Sequence, residues 1–231
     1  MALSPQEIDA LILSLKVGLW VILWGLPLAT ITAWVLARHD FYGKTIIDGL
    51  IHAPLVLPPV IIGYLLLITF GPDATMGAWL NDVLGISFAF NWKGAALAAG
   101  IMAFPLMVRA IRLSIEATDG RLEQVARTLG AGPVHSAMTI TLPLALPGVI
   151  MGGLLGFARA LGEFGATIAF VASIPGLTQT LPLALYDAIQ TPGGEDAAFR
   201  LMAISLVIAL GALAASEWLA RLVRRRMEGG K

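Results

Sequence analysis

This 231-residue chain contains no cysteine. That excludes disulfides, thiolate metal sites and a cysteine nucleophile, and leaves the compartment open. Histidine is scarce as well: His39, His52 and His135 stand far from one another, so a helical zinc site has no ligands. The formal net charge is zero, and with no excess of either sign nothing marks the chain for nucleic acid. Gly43, Lys44 and Thr45 spell the end of a phosphate-binding loop, but its leading glycine would fall at Arg38 and an apolar run follows in place of a strand–loop–helix unit. Ser114, Ser136 and Ser173 lack the glycine-flanked context of a nucleophile elbow. The residues therefore predict no catalytic group, no metal site and no cofactor in this chain.

Charge of either sign is sparse at 13% of residues, while 58% are hydrophobic and the mean hydropathy is +0.84. A soluble domain of this size is rarely so apolar. A bilayer core of roughly 30 Å takes about 20 helical residues to cross, and the chain holds several runs of that length. The reading is an all-α integral membrane protein, one domain over 1–231, with five spans at about 11–37, 46–70, 94–114, 141–172 and 198–222. Ser4, Pro5 and Glu7 form a helix start, with a capping serine, a first-turn proline and a capping-box glutamate. They predict a short interfacial helix before the first span. Glu7 and Asp9 stand where a cleaved leader would be basic, so none is expected.

An odd number of spans sorts the basic residues into two sets. Eleven fall on one side: Arg38, Lys44, Arg109, Arg112, Arg121, Arg127, Arg221, Arg224, Arg225, Arg226 and Lys231. Only three, Lys16, Lys93 and Arg200, approach the other. The imbalance predicts a cytoplasmic C-terminus and a cytoplasmic 115–140 loop, with the N-terminus, 71–93 and 173–197 outside.

Within the spans, Pro54, Pro58, Pro59 and Pro105 each remove a backbone donor. They could belong to a path or hinge, and simple kinking to fit neighbours is the plainer reading. Gly148, Gly152 and Gly156 recur every fourth residue and make a smooth ridge that lets helices approach closely. Packing inside the subunit is favoured over a dimer contact. Arg159 and Glu163, also four apart, can meet on one helical face. They read as an ion pair fixing a bend, or as groups beside the path of an anionic substrate, since intramembrane charges are paired or functional.

The polar stretch 115–140 contains Leu122, Val125, Ala126 and Leu129 at i, i+3, i+4 and i+7 from Leu122, which predicts a short amphipathic helix over Asp119–Leu129. Gly130 is placed to end it, and Gly132 with Pro133 to stop its continuation. Its apolar stripe must be buried, either on the ends of the chain's own membrane helices or in a partner's groove.

This loop closely resembles that of importer-type ABC transporter permeases, whose pattern is Glu-Ala-Ala, three residues, Gly, nine residues, then Ile-x-Leu-Pro. Aligned on Gly130, the three leading positions hold Gln124, Val125 and Ala126, and Ile140, Leu142 and Pro143 match fully. Glutamate is displaced to Glu123, about 100° around the helix. The segments HAPLVLPPVIIGYLLL, FPLMVRAIRLSIE, ARTLGAG, ARALGEFGATIAFV, IPGLTQTLPLALY and IQTPGGE extend the likeness over nearly the whole chain. They resemble the membrane subunit of molybdate importers, with sulfate and thiosulfate importer permeases next.

The resemblance implies the importer-type ABC permease fold and a bacterial inner-membrane subunit that moves molybdate, with tungstate as a second candidate, into the cytoplasm by alternating access. It implies a homodimer with two cytoplasmic ATPase subunits, which bind the ATP and Mg, and an oxyanion-binding protein outside. The coupling residues would be Glu123, Gln124, Val125, Ala126, Arg127, Leu129 and Gly130, with Glu123 the first to test. The outward loop 173–197 would meet the binding protein. A secondary transporter would more often show a repeated half and an ion site at the midplane, and neither is evident.

Overall fold

The computed structural model describes residues 3–228. Side chains at 213, 216, 217 and 219–228 lie outside the description. Every regular element among the described residues is helical. Helix α1 (Pro5–Trp20) starts on the predicted box: the Glu7 amide donates to Ser4 Oγ at 3.2 Å and the Ser4 amide to Glu7 Oε2 at 2.7 Å. No separate interfacial helix follows. The ladder continues through a π turn at Val21–Gly25 into α2 (Leu26–Arg38), making one run of 34 residues. At ~1.5 Å per residue that run is about 50 Å long, more than the hydrocarbon core needs.

The second predicted span is broken. Helix α3 (Lys44–Val56) and α4 (Pro59–Phe70) meet at 112°, where the sequence favours simple kinking to fit neighbours. Leu57, held extended before Pro58 at ψ 141, ends α3, and consecutive prolines restart the chain in a new direction. Helix α5 (Thr75–Leu84) leads to α6 (Trp92–Glu116), which carries Pro105 without interruption.

Helix α7 (Arg121–Thr128) is the predicted amphipathic segment. Helix α8 (Pro133–Ser136), a second π turn (Ala137–Thr141) and α9 (Leu142–Leu161) then form one continuous 29-residue run. The fourth predicted span therefore starts eight residues early, because Pro133 sits in a first turn where its missing donor costs nothing. It also stops early: Gly162 caps α9, and α10 (Gly165–Val171) is a separate half-helix. Helix α11 (Leu181–Gln190) precedes α12 (Glu195–Glu228), which contains the fifth predicted span.

Three helical runs among the described residues are long and apolar enough to cross a membrane, or four with the bent α3–α4 pair taken as one. The centre is α6, whose Ala95, Ala98, Ala99, Met102, Ala103, Met107, Val108 and Ile111 are all buried. The glycine ridge of α9 lies against it. A Cβ on Gly148 would stand 2.1 Å from Ser114 Cβ, on Gly152 2.9 Å from Ile111 Cγ1, and on Gly156 2.6 Å from Met107 Sδ. The ridge is thus occupied within the chain. The two broken elements also meet at their breaks, since a Cβ on Gly63 would reach 2.4 Å from Ala166 O and one on Gly165 2.8 Å from Pro59 Cβ.

Candidate coupling surface and the charges behind it

Helix α7 is delimited by its own chemistry. Asp119 Oδ1 accepts the Arg121 amide at 2.9 Å at the start. At the end the Gly130 amide donates to Arg127 O and the Ala131 amide to Ala126 O, both at 3.0 Å, the paired bonds of a Schellman motif. Gly130 has φ +92, and a Cβ there would meet nothing within 4 Å. Its requirement is conformational, because the left-handed region penalises every L side chain.

The helix turns its stripe away from the body. Leu122, Val125 and Leu129 are 46%, 57% and 84% exposed, and Glu123 is 5% exposed. Gln124 and Arg127 are exposed and Ala126 is half-buried. Of the two burial sites open to the stripe, the ends of the chain's own helices do not cover it.

Glu123 instead faces inward and fastens α7 to two membrane helices. Arg38, the last residue of α2, donates from Nε to Glu123 Oε1 at 2.9 Å and from Nη2 to Thr118 O at 3.0 Å. Thr141 Oγ1, at the end of the second π turn, donates to the same carboxylate oxygen. A buried carboxylate needs such partners, since an unpaired one would be strongly penalised. Ile140, Leu142 and Pro143 flank that threonine on the turn and the start of α9, so the apolar motif positions a hydroxyl between its members. Arg38 and Thr141 went unmarked in the sequence, where the only hints were a cation at a span end and a lone hydroxyl in an apolar motif.

Arg159 and Glu163 do pair, at 2.6 Å between Nη1 and Oε2. Arg159 lies in the last turn of α9, but Glu163 lies in the break beyond it, so they do not share one helix. The 2% exposed Glu163 also accepts the Ala166 amide on Oε1 at 2.8 Å. Its charge thus bridges the end of α9 and the first turn of α10, where a carboxylate is favoured.

A second charged cluster, which no motif in the sequence marks, joins α3 to α6. Arg112 of α6 binds Asp48 of α3 at 3.0 Å and Glu116 at 2.7 Å, and His52 Nδ1 lies 2.8 Å from Asp48 O. Helix α3 buries none of its residues, so this ion pair is its main polar tether to the body. Among the described residues no group of His, Cys, Asp or Glu is arranged to hold a metal.

Comparison with known proteins places this geometry. The molybdenum transport system permease protein ModB of Escherichia coli strain K12 is 56% identical over 226 residues, covering 98% of this chain and 99% of that protein. The corresponding protein of Haemophilus influenzae is 54% identical over 225 residues (97% and 98%), and that of Mycobacterium tuberculosis 40% over 210 residues (89% and 77%). The fold is similar to that of a bacterial alginate ABC transporter in complex with a periplasmic protein, with TM-score 0.75 at 17% identity over 95% of this chain and 80% of that one. The inward-facing MetNI methionine ABC transporter gives 0.67 at 15% identity, over 94% of both chains. Residues 25–229 match the family model described as the inner membrane component of binding-protein-dependent transport systems. The chain belongs to this family of binding-protein-dependent inner-membrane transport components.

Proposed function

We propose that this chain is the permease subunit of an ATP-driven importer that carries molybdate into the cytoplasm. The observation that carries the reading is the 56% identity over nearly full length to a molybdenum permease. The exposed stripe on α7 supports the partner class, because a helix that shows Leu122, Val125 and Leu129 outward matches a helix-in-groove contact with a cytoplasmic ATPase. With the five spans expected from the apolar runs of the sequence, the basic-residue imbalance puts the C-terminus in the cytoplasm and the N-terminus outside.

In this reading two copies form the path, and two ATPase subunits bind ATP and Mg and grip the two α7 helices. When the ATPases close, each α7 is displaced. Glu123 transmits that displacement through Arg38 to α2 and through Thr141 to α9, turning the pair of copies between inward- and outward-open states. The path must hold the dianion weakly enough to release it, so selection of the oxyanion rests with the external binding protein. Arg159, paired with Glu163 at the break between α9 and α10 and partly exposed, is the candidate to meet the passing anion.

The test is reconstitution of this chain with its ATPase and binding protein in vesicles, followed by ATP-dependent uptake of molybdate, tungstate and sulfate. Molybdate uptake exceeding sulfate uptake is expected. Preference for sulfate overturns the substrate assignment, and uptake without the ATPase overturns the importer reading.

A further inference from the structure

At the end of the molecule opposite α7, the run from Trp20 at the end of α1 through the π turn to Leu28 of α2 leaves a groove of about 590 Å³ against α6. Its walls are almost wholly apolar, with Trp20, Trp24, Leu28, Trp92, Leu97 and Phe104 the large contributors. The π turn Val21–Gly25 forms part of one wall, and such turns recur at functional sites. Gly100 lines the floor, where a Cβ would meet only Val21 at 3.8 Å.

Two cations mark one end. Lys93 lines the groove, and Lys16 Nζ lies 3.6 Å from the centroid of the Trp92 ring. Both are exposed, and neither pairs with a carboxylate among the described residues. Arg200, the other cation near this end, is bound to Glu7 at 2.9 Å. The basic residues disfavoured at this end by the topology rule are therefore either neutralised or gathered at the groove. From Lys93 to Phe104 the groove follows α6 over twelve residues, a rise of about 16 Å at ~1.5 Å per residue. That matches one leaflet, half of the roughly 30 Å hydrocarbon core. Trp20, Trp24 and Trp92 form a continuous aromatic group, with centroids 6.1 Å and 5.6 Å apart, of the kind that lies at the headgroup level.

We propose that this groove is a binding site for an anionic glycerophospholipid, with the phosphate on Lys16 and Lys93 and one acyl chain lying along α6 to Phe104. Charge complementarity and length select this occupant over an apolar helix from a second copy, which would leave the two lysines without a counter-anion. The site rests on the membrane-spanning character of the chain and is independent of which oxyanion is moved, so failure of the uptake test leaves it standing.

Tryptophan quenching reads the site directly. The full chain, with Trp34, Trp79 and Trp218 changed to phenylalanine so that only the groove tryptophans report, is placed in phosphatidylcholine vesicles and titrated with acyl-brominated phosphatidylglycerol or acyl-brominated phosphatidylcholine. Half-maximal quenching is expected at a lower mole fraction of the anionic lipid, by roughly fivefold for each lysine engaged. The K16Q/K93Q double variant should lose that preference while brominated phosphatidylcholine still quenches, which shows that the fold and groove persist. Gly100→Leu should weaken quenching by both lipids. Equal quenching by the two lipids, or a preference unchanged in K16Q/K93Q, overturns the proposal. So does a disulfide between copies at an introduced Leu28→Cys, which would place a second chain in the groove.

Discussion

Two residues of the coupling segment, Gly130 and Glu123, differ in how plainly the sequence declares them. Gly130 is required by backbone conformation: at φ +92 with open space around it, an alanine costs about 1 kcal/mol and unwinds the Schellman end without a clash. Gly130→Asn should be milder than Gly130→Val, since asparagine tolerates this region and a β-branched side chain does not. Pull-down of the partner ATPase from detergent should therefore weaken in the order Asn, Ala, Val, and an effect that follows side-chain volume alone would refute the conformational account. This glycine was legible because helix ends have a chemical signature. The direction of Glu123 was not. Periodicity gives the angle between Glu123 and the Leu122–Val125–Leu129 stripe, but not which face meets the body, and the partner that fixes it, Arg38, is 85 residues away. Glu123, expected to touch the ATPase, turns out to be the buried anchor, and Gln124 is the exposed neighbour.

At the scale of elements, the small-residue spacing of α9 was readable and its destination was not. The ridge seats on α6 at three levels, and the neighbours differ in how easily they yield. At Gly148 the obstruction is Ser114 Cβ at 2.1 Å, next to the backbone, whereas at Gly156 it is the thioether of Met107, a flexible chain. Gly148→Ala should therefore lower the thermal unfolding midpoint in detergent more than Gly156→Ala, with overpacking of about 1–3 kcal/mol at the tighter site. Equal effects would mean that the α6–α9 contact relaxes as a unit. Proline likewise showed where donors are missing without showing the angle. Pro105 leaves α6 continuous, while Pro58 and Pro59 turn the chain by 112°, and the close approach of Gly63 to Ala166 and of Gly165 to Pro59 across the two breaks fixes the turned half. A break is local chemistry, but its size depends on the helix it must meet.

At the scale of the whole molecule, the two ends of the α1–α2 run do different work. One end lies against α11 and α12 through Ser14 and the Glu7–Arg200 pair, and the other ends at Arg38 on Glu123. A continuous helical run of 34 residues joined to α7 at one end and to the outer helices at the other can carry a displacement across the bilayer. If so, breaking the Arg38–Glu123 contact should separate binding of the ATPase from transport. Because the exposed stripe is untouched, Glu123→Gln should keep ATPase association within about twofold, as expected for a change outside the contact. The ratio of oxyanion imported to ATP hydrolysed should nevertheless fall. Truncation of either charge to alanine should also destabilise the fold by about 3–5 kcal/mol, the cost of leaving its partner buried and unpaired. The exchanged pair, Arg38→Glu with Glu123→Arg, distinguishes transmission from mere folding: it should recover part of the transport ratio lost in each single variant, with a coupling energy visible in the double-mutant cycle. Full transport per ATP in Glu123→Gln, with the fold intact, would mean that the stroke enters the membrane through another contact, of which the continuous α8–α9 run is the next to test.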